Sequence, residues 1–398
     1  MGGSRQAARL ALRGVVAPAV VLLWLVRRWL RVELVLPNVT LFGHLALEPE
    51  KYLAARARAP RRRPRVLSVW SFGRRRDRAN HALARIWARR VVALPSPVVD
   101  AMHRVAGGLP GYSMPIATLD KLHENDDVID DGGSFLRPSP SEEDALGRFL
   151  DDRGIDGARP WVCFVVRDAR FAPVGSGPHA SGPLRSRSFE DFIPAALALA
   201  DRGIPVLKIG SPGTLDVAGL HPRLFDYAND PAKDPILDVM LPARATTVVS
   251  TMSGPDAVAL AAHRPVLYVD LAQYSLCFAG TALTTWIPAR LRDREGRMLS
   301  LREVFDCGAG RALGEGTLER LGIAVERSTP EEIARSVTGH VDRVLTTRGG
   351  TPRVEAMQDR YRRLFRELLA RDSVAPLGAL GSRLDDDFLD RFGDDFLA

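Results

Sequence analysis

Two short stretches in the second half of the chain combine residue types and spacing suited to holding a phosphate. Arg167-Asp168 follows directly on the apolar run Trp161–Val166. A guanidinium at the end of a buried strand can pair bidentately with a phosphate; the structural alternative is an Arg–Asp pair closing the strand. Ser250-Thr251-Met252-Ser253-Gly254-Pro255 reads as a strand entering a turn of small residues and then a helix N-terminus. The amides and dipole of such an end favour a diphosphate. Ser253 can hydrogen-bond an oxygen and Gly254 permits close backbone approach; the alternative is an ordinary serine cap.

Further candidates surround these. Arg185 and Arg187 precede a helix and can add charge to the same place, or be surface arginines. Lys208 and Gly210 end another strand, and the alternation of Lys208 with apolar neighbours also fits an exposed strand residue. In the first half, Gly43-His44 follows a strand. There a glycine permits a tight turn, and an imidazole can take a proton from an acceptor hydroxyl; a lone histidine is otherwise structural. No metal site is expected: Asp385-Asp386-Asp387 reads as an acidic tail, and Asp126-Asp127 and Asp130-Asp131 as solvent-facing loop residues. Gly175-Ser176-Gly177 is not a phosphate loop of the Walker kind, because no Gly-Lys-Ser/Thr follows.

The elements that would position these residues alternate strand with helix. VELVLP (32–37), RVLSVW (65–70) and 91–94 read as strands of a first α/β unit, with helices from about 47 to 58 and from 82 to 90. Residues 105–137, rich in Gly, Pro, Asp and Asn, read as loop. Ser139-Pro140-Ser141-Glu142 is a capping box that opens a helix, and the domain junction is placed beside it. In the second half, 161–166, 205–209, 223–227, 246–250 and 265–269 read as strands. Continuous apolar runs of this kind belong to parallel sheets covered on both faces. Strand–helix units of this size make a doubly wound sheet, whose ligands sit outside the carboxyl ends of the strands. Helices are expected over 330–343 and 352–371. The expected division is an N-terminal helix (1–31), a first α/β domain (32–150), a second (151–345), and a C-terminal helix with an acidic tail (346–398).

Charge is distributed unevenly over the 398 residues. Residues 1–90 hold 19 arginines and one lysine against four acids, a net of +16, so the remaining 308 residues carry −9. Such a face suits anionic lipid or a phosphate-bearing substrate near a membrane. The chain has only four lysines, so part of the arginine excess fits a compositional bias. Nucleic acid is not an expected partner, because the basic stretch lacks interleaved stacking aromatics. Residues 14–26 form an uninterrupted apolar run of 13, short of the roughly 20 that cross a bilayer, and Arg27, Arg28 and Arg31 follow. The run fits a helix lying in the membrane interface, with a spanning or signal segment and an ordinary first helix as alternatives. Three cysteines without CxxC spacing argue against a disulfide framework or zinc site and fit a reducing compartment.

Taken together, FGHLALEPEKYL, VVRD, RSRSFEDFIPAALALADRGIPVLKIG, DYAND, DPILDVMLPARATTVVSTMSGP and RPVLYVD resemble a bacterial family of glycosyltransferases found with surface-polysaccharide genes. The resemblance spans roughly residues 40–345, and LGIAVERSTPEEI fits its C-terminal portion. It implies two Rossmann-like domains of GT-B type. The nucleoside diphosphate sugar would sit in the second and the acceptor in the first; the basic N-terminal face would suit a glycan or lipid-linked acceptor at the bilayer. Metal independence is usual for that fold, and no cofactor is expected; the basic, apolar N-terminal segment sets the expected location, cytoplasmic and peripheral on the inner face of the membrane. Carried over by position, Arg167, Arg187, Lys208, Gly210, Ser253 and Gly254 would bind the donor, and Gly43 and His44 would face the acceptor. The candidate catalytic groups are His44 and, from its place after the strand, Asp168. The chain departs from the family where Arg187-Ser188 stands in place of Arg-Asn, and its loop 171–184 is richer in Gly and Pro. A nucleotide-sugar epimerase of the same fold and a non-catalytic membrane-surface binding protein are the alternatives.

Overall fold

A computed structural model describes residues 2–59, 64–119, 126–130, 132–168, 182–212, 215–278, 280–311, 314–371 and 380–398. The chain divides into two compact units. The first comprises Met1–Leu122 with Phe135–Ser139, the second His123–Ser134 with Pro140–Ala398.

The first unit is built on four parallel strands: β1 (Leu30–Pro37), β2 (Arg65–Trp70), β3 (Val92–Ala93) and β4 (Ile116–Leu119), in the order β3-β2-β1-β4. The chain runs from β1 through β2 to β3 on one side and returns to β1 with β4 on the other. The carboxyl end of β1 therefore lies at a topological switch point. β4 falls inside the stretch expected to be loop; at four residues it is too short for the alternation that marks a strand. The core gathers Val32 and Leu34 of β1, Val69 of β2, and Val99, Met102 and Ala106 of helix Ser96–Ala106. Helix Gly2–Leu25 joins that core. Val16 and Val20 are buried, Leu12 and Leu23 pack beside them, and the Trp24 indole donates to the Pro110 carbonyl at 3.1 Å. Residues read as a separate segment are thus one wall of this unit. Pro18 sits inside the helix without ending it.

The second unit carries a seven-stranded sheet in the order β13-β10-β9-β8-β5-β6-β7. Its members are β5 (Val162–Val165), β6 (Val206–Lys208), β7 (Leu224–Asp226), β8 (Thr247–Ser250), β9 (Val266–Leu271), β10 (Thr284–Pro288) and β13 (Arg383–Leu384), and every pairing is parallel. A separate antiparallel pair joins β11 (Arg290–Arg292) to β12 (Ala324–Glu326). All residues of β5, β8 and β9 are buried, as their continuous apolar composition requires. The chain leaves β5 through β6 to β7 on one side, then crosses to β8, β9 and β10 on the other. The crevice outside the carboxyl ends of β5 and β8 is the switch point of this sheet.

The tail is structural. Helix Asp386–Phe396 buries Phe388, Leu389 and Phe396, each contributing about 1.5–3 kcal/mol by burial. Phe396 meets Tyr274 edge-on, and the Tyr274 ring meets buried Trp286. The three aspartates of the tail are held by protein groups. Asp385 accepts from Phe388 N and Ser336 Oγ, Asp386 faces Arg343 and Arg383, and Asp387 faces Arg335 and Arg391. Asp130, expected to face solvent, accepts from Thr281 Oγ1 at 2.5 Å and Ala282 N at 2.8 Å and pins that turn.

Candidate functional site

β5 delivers Arg167 to the switch point, buried and anchored by its own backbone. Its N–H donates to Thr251 Oγ1 at 2.9 Å, while Thr251 N donates back to Val165 O at 3.3 Å. These bonds tie the two carboxyl ends together. Met252 follows with φ +63° and its side chain buried, a left-handed conformation that costs a non-glycine residue roughly 1–2 kcal/mol. A second buried non-glycine residue, Asp270 at the end of β9, has φ +53°. Left-handed residues gather at sites that constrain them, and both lie along this edge.

Helix Gly254–Ala261 begins after Ser253, as the sequence indicates, but the turn offers an anion fewer amides than expected. The Asp256 carboxylate accepts from Ser253 N and from Ser250 Oγ, each at 2.6 Å. Asp256 N donates to Ser253 O at 3.0 Å, and Pro255 has no N–H. Burial pushes the Asp256 carboxyl up to about 6, against those hydrogen bonds and the nearby Arg185 charge.

Positive charge supplies what the amides do not. Segment 182–188 returns beside β5, with Arg187 N donating to Arg167 O at 2.9 Å. Arg185 is brought close enough to Arg167 and Asp256 to feel both charges. Burial, then the Arg167 charge, lowers its guanidinium to about 10, with Asp256 opposing. Burial also lowers Arg167 and Arg327. Two arginines are thus desolvated side by side, beside one acid that is itself easily protonated. Like charges out of water repel strongly, and Asp256 offsets part of that repulsion.

Arg187 does a different job from the one the sequence suggests. Its guanidinium binds Asp191 (Nε at 2.8 Å), Asp270 Oδ2 and the Ser328 carbonyl (3.2 Å). Asp270 in turn accepts from Ser328 N at 2.9 Å and Ser328 Oγ at 2.7 Å; burial raises its carboxyl, with Arg187 opposing. Arg327 donates to Leu184 O at 3.2 Å. Arg187 and Arg327 therefore clamp segment 182–188 to β9 and to residues 327–328, and so hold Arg185 in place. The sequence signal for Arg185 and Arg327 was weak, because their neighbours come from distant parts of the chain.

Lys208 is neither an exposed strand residue nor turned toward the switch point. It is buried, 3.0 Å from Asp226 on the neighbouring strand β7, and donates to the Leu215 carbonyl. Gly210 has φ +119°, a region that favours glycine, and an added Cβ would meet Val165 Cγ2 at 3.7 Å. It lets the chain turn away from β6 close to β5. Asp168 is half-buried after Arg167. Gly175-Ser176-Gly177 lies outside the described residues. A cavity of about 520 Å³ near Arg153, His221, Asp226 and Asp230 sits beyond β7. Three of its charged lining residues are already paired, Arg153 with Asp230 and Asp226 with Lys208.

In the first unit, Gly43 and His44 open helix Phe42–Arg58 rather than forming a free turn after β1. His44 Nδ1 lies 2.8 Å from Glu48 Oε1, one helical turn on. Glu48 is buried and the imidazole is partly open. A buried carboxylate on Nδ1 favours the tautomer that leaves Nε2 as a proton acceptor. The rest of FGHLALEPEKYL is structural: buried Glu50 accepts the Phe135 and Leu136 N–H groups at 2.8–3.0 Å, and Tyr52 donates to Glu33 at 2.6 Å. Among the described residues, no group of three or more His, Cys, Asp or Glu could hold a metal ion.

No family model matches the chain, and no curated protein matches it. Among solved structures, it is similar to the ADP-heptose LPS heptosyltransferase II of E. coli, with 18% identity, 73% of this chain and 98% of that one covered, and a TM-score of 0.40. A glycosyl transferase family 9 protein of Veillonella parvula gives 11% identity, 79% and 98% coverage, and a TM-score of 0.43. The dodecameric iron-containing heptosyltransferase TibC, in complex with ADP-D-beta-D-heptose, gives 13%, 61% and 59%, and 0.30. Likeness at scores this low carries no argument about family or activity.

Proposed function

We propose that the chain is a glycosyltransferase of GT-B type. In this reading it transfers a sugar from a nucleoside diphosphate sugar to a hydroxyl of a glycan or lipid-linked acceptor in surface-polysaccharide synthesis. The observation that carries the reading is the desolvated pair Arg167 and Arg185 at the switch point of the second sheet, clamped there by Arg187 and Arg327.

The chemistry follows from charge. As the bond between the anomeric carbon and the diphosphate oxygen breaks, negative charge grows on the leaving phosphate. Fixed guanidinium groups aimed at that oxygen stabilise the transition state more than the ground state. The acceptor oxygen forms the new bond to the anomeric carbon and gives up its proton to a base; the candidate on the acceptor side is Nε2 of His44, whose Nδ1 is held by Glu48. Asp168, next to Arg167, is a second candidate for orienting the donor sugar. The guanidinium charge fills the role a divalent cation plays in other transferases, and the reading calls for no cofactor.

A thermal-shift panel tests it. Wild type is heated with UDP-, ADP-, GDP-, dTDP- and CMP-linked sugars, alongside Ser253→Trp, which places an indole in the turn before helix Gly254–Ala261. One nucleotide class should raise the wild-type midpoint and leave the variant unmoved. No shift with any of them would sink the proposal. Epimerisation of the bound sugar without an acceptor would replace transfer by the epimerase reading.

A further inference from the structure

We propose that helix Gly2–Leu25 docks onto an anionic lipid bilayer by its outer face while its inner face stays in the core of the first unit. This inference is independent of the transfer reading, and it rests on two opposed faces of one helix. Leu12, Val16, Val20 and Leu23 recur at helical spacing and pack into the core. Leu10, Val15, Val21, Leu22 and Leu25 recur on the other side, all exposed, from 37% to 76%. That outer face carries no charged side chain from Leu10 to Leu25, about 22 Å of helix at 1.5 Å per residue. An apolar strip of this kind marks an interaction surface.

What covers it is indicated by charge. The strip ends in exposed Arg27, Arg28, Trp29 and Arg31, an aromatic among cations at the level where lipid headgroups begin. Arg27 stacks on Trp24 and donates to its carbonyl at 2.8 Å. With a net of +16 over residues 1–90, a second copy laid against this face would bring like charges together, whereas anionic phosphates neutralise them. By length and composition Gln6–Leu25 could also cross a membrane. Crossing would withdraw Val16 and Val20 from the core they share with Val99 and Met102 and break the Trp24 bond to Pro110. The helix therefore lies along the surface.

The test uses the full chain and sedimentation with phosphatidylcholine vesicles, with and without phosphatidylglycerol. Wild type should bind the phosphatidylglycerol vesicles and be released by alkaline carbonate. Val15→Ser/Leu22→Ser/Leu25→Ser, which changes only exposed side chains, should weaken binding more than tenfold, and the lighter pair Val15→Ser/Leu22→Ser should weaken it less. Arg28→Gln/Arg31→Gln should reduce the preference for phosphatidylglycerol. The proposal is overturned by no vesicle binding, by unchanged binding of the triple serine variant, by carbonate-resistant insertion, or by a vesicle-independent dimer that the serines dissolve. None of these outcomes depends on a nucleotide sugar.

Discussion

Replacing Asp256 by asparagine should remove a defined pH dependence from both folding and donor binding. The carboxyl stands at about 6 in place of the usual 3.8, mainly through burial. A displacement of about two units corresponds to roughly 3 kcal/mol between protonation states. The folded chain holds this proton more tightly than the unfolded chain. Its contribution to stability is therefore flat above about pH 6, grows as pH falls from about 6 to 3.8, and levels off below. By about pH 4.5 wild type should have gained roughly 2 kcal/mol relative to Asp256→Asn. Glu303 and Glu355, whose carboxyls are held down at about 2 by Arg297 and Arg383, work the other way, losing stability as pH falls below 4.5. Hence the difference between wild type and variant is the quantity to follow, by urea denaturation across that range. Protonation also uncovers the Arg185 charge, so a nucleoside diphosphate sugar, whose own charge is constant here, should bind wild type more tightly as pH drops through about 6 and the variant at a constant strength. Parallel stability profiles for the two proteins would refute the placement of this carboxyl.

Two other substitutions probe the frame. Glu50→Ala leaves the Phe135 and Leu136 N–H groups without their acceptor and should cost about 2–4 kcal/mol in denaturation, while Glu50→Gln should cost less. Gly381→Ala would put a Cβ 2.5 Å from Ala282 N and 2.7 Å from the Thr281 carbonyl carbon. Backbone cannot yield as a side chain can, so the thermal midpoint should fall, in keeping with a loss above about 2 kcal/mol.

The sequence shows the second sheet well because its strands are buried on both faces: Trp161–Val166 and Pro265–Val269 need no partner to be recognised. The same rule of strand ends finds Arg167 and the Ser253-Gly254 turn. What stays hidden depends on neighbours distant in sequence. Lys208 looks like an exposed residue until Asp226, 18 positions away, is placed on the adjoining strand. Arg187 looks like a ligand-binding arginine until Asp270 and Ser328 take its donors. Two signals were present but weak. His44 and Glu48 have helical spacing, which becomes visible only once the helix is seen to start at Phe42 rather than near 47. Phe388, Phe392 and Phe396 also recur at helical spacing within a stretch dominated by aspartates. β10 and β13 are short, lie at one side of the sheet, and carry little pattern of their own.

Isothermal titration of the best-shifting nucleoside diphosphate sugar against wild type and Arg185→Gln shows whether Arg185 holds the donor's phosphates. The parent nucleoside, which lacks phosphates, serves as the comparison. A hydrogen-bonded charge of this kind is worth about 1.5–3 kcal/mol, so the sugar nucleotide should lose roughly 10- to 150-fold in affinity and the nucleoside little. Equal affinity of the sugar nucleotide for both proteins, or an equal loss for the nucleoside, would contradict this role for Arg185.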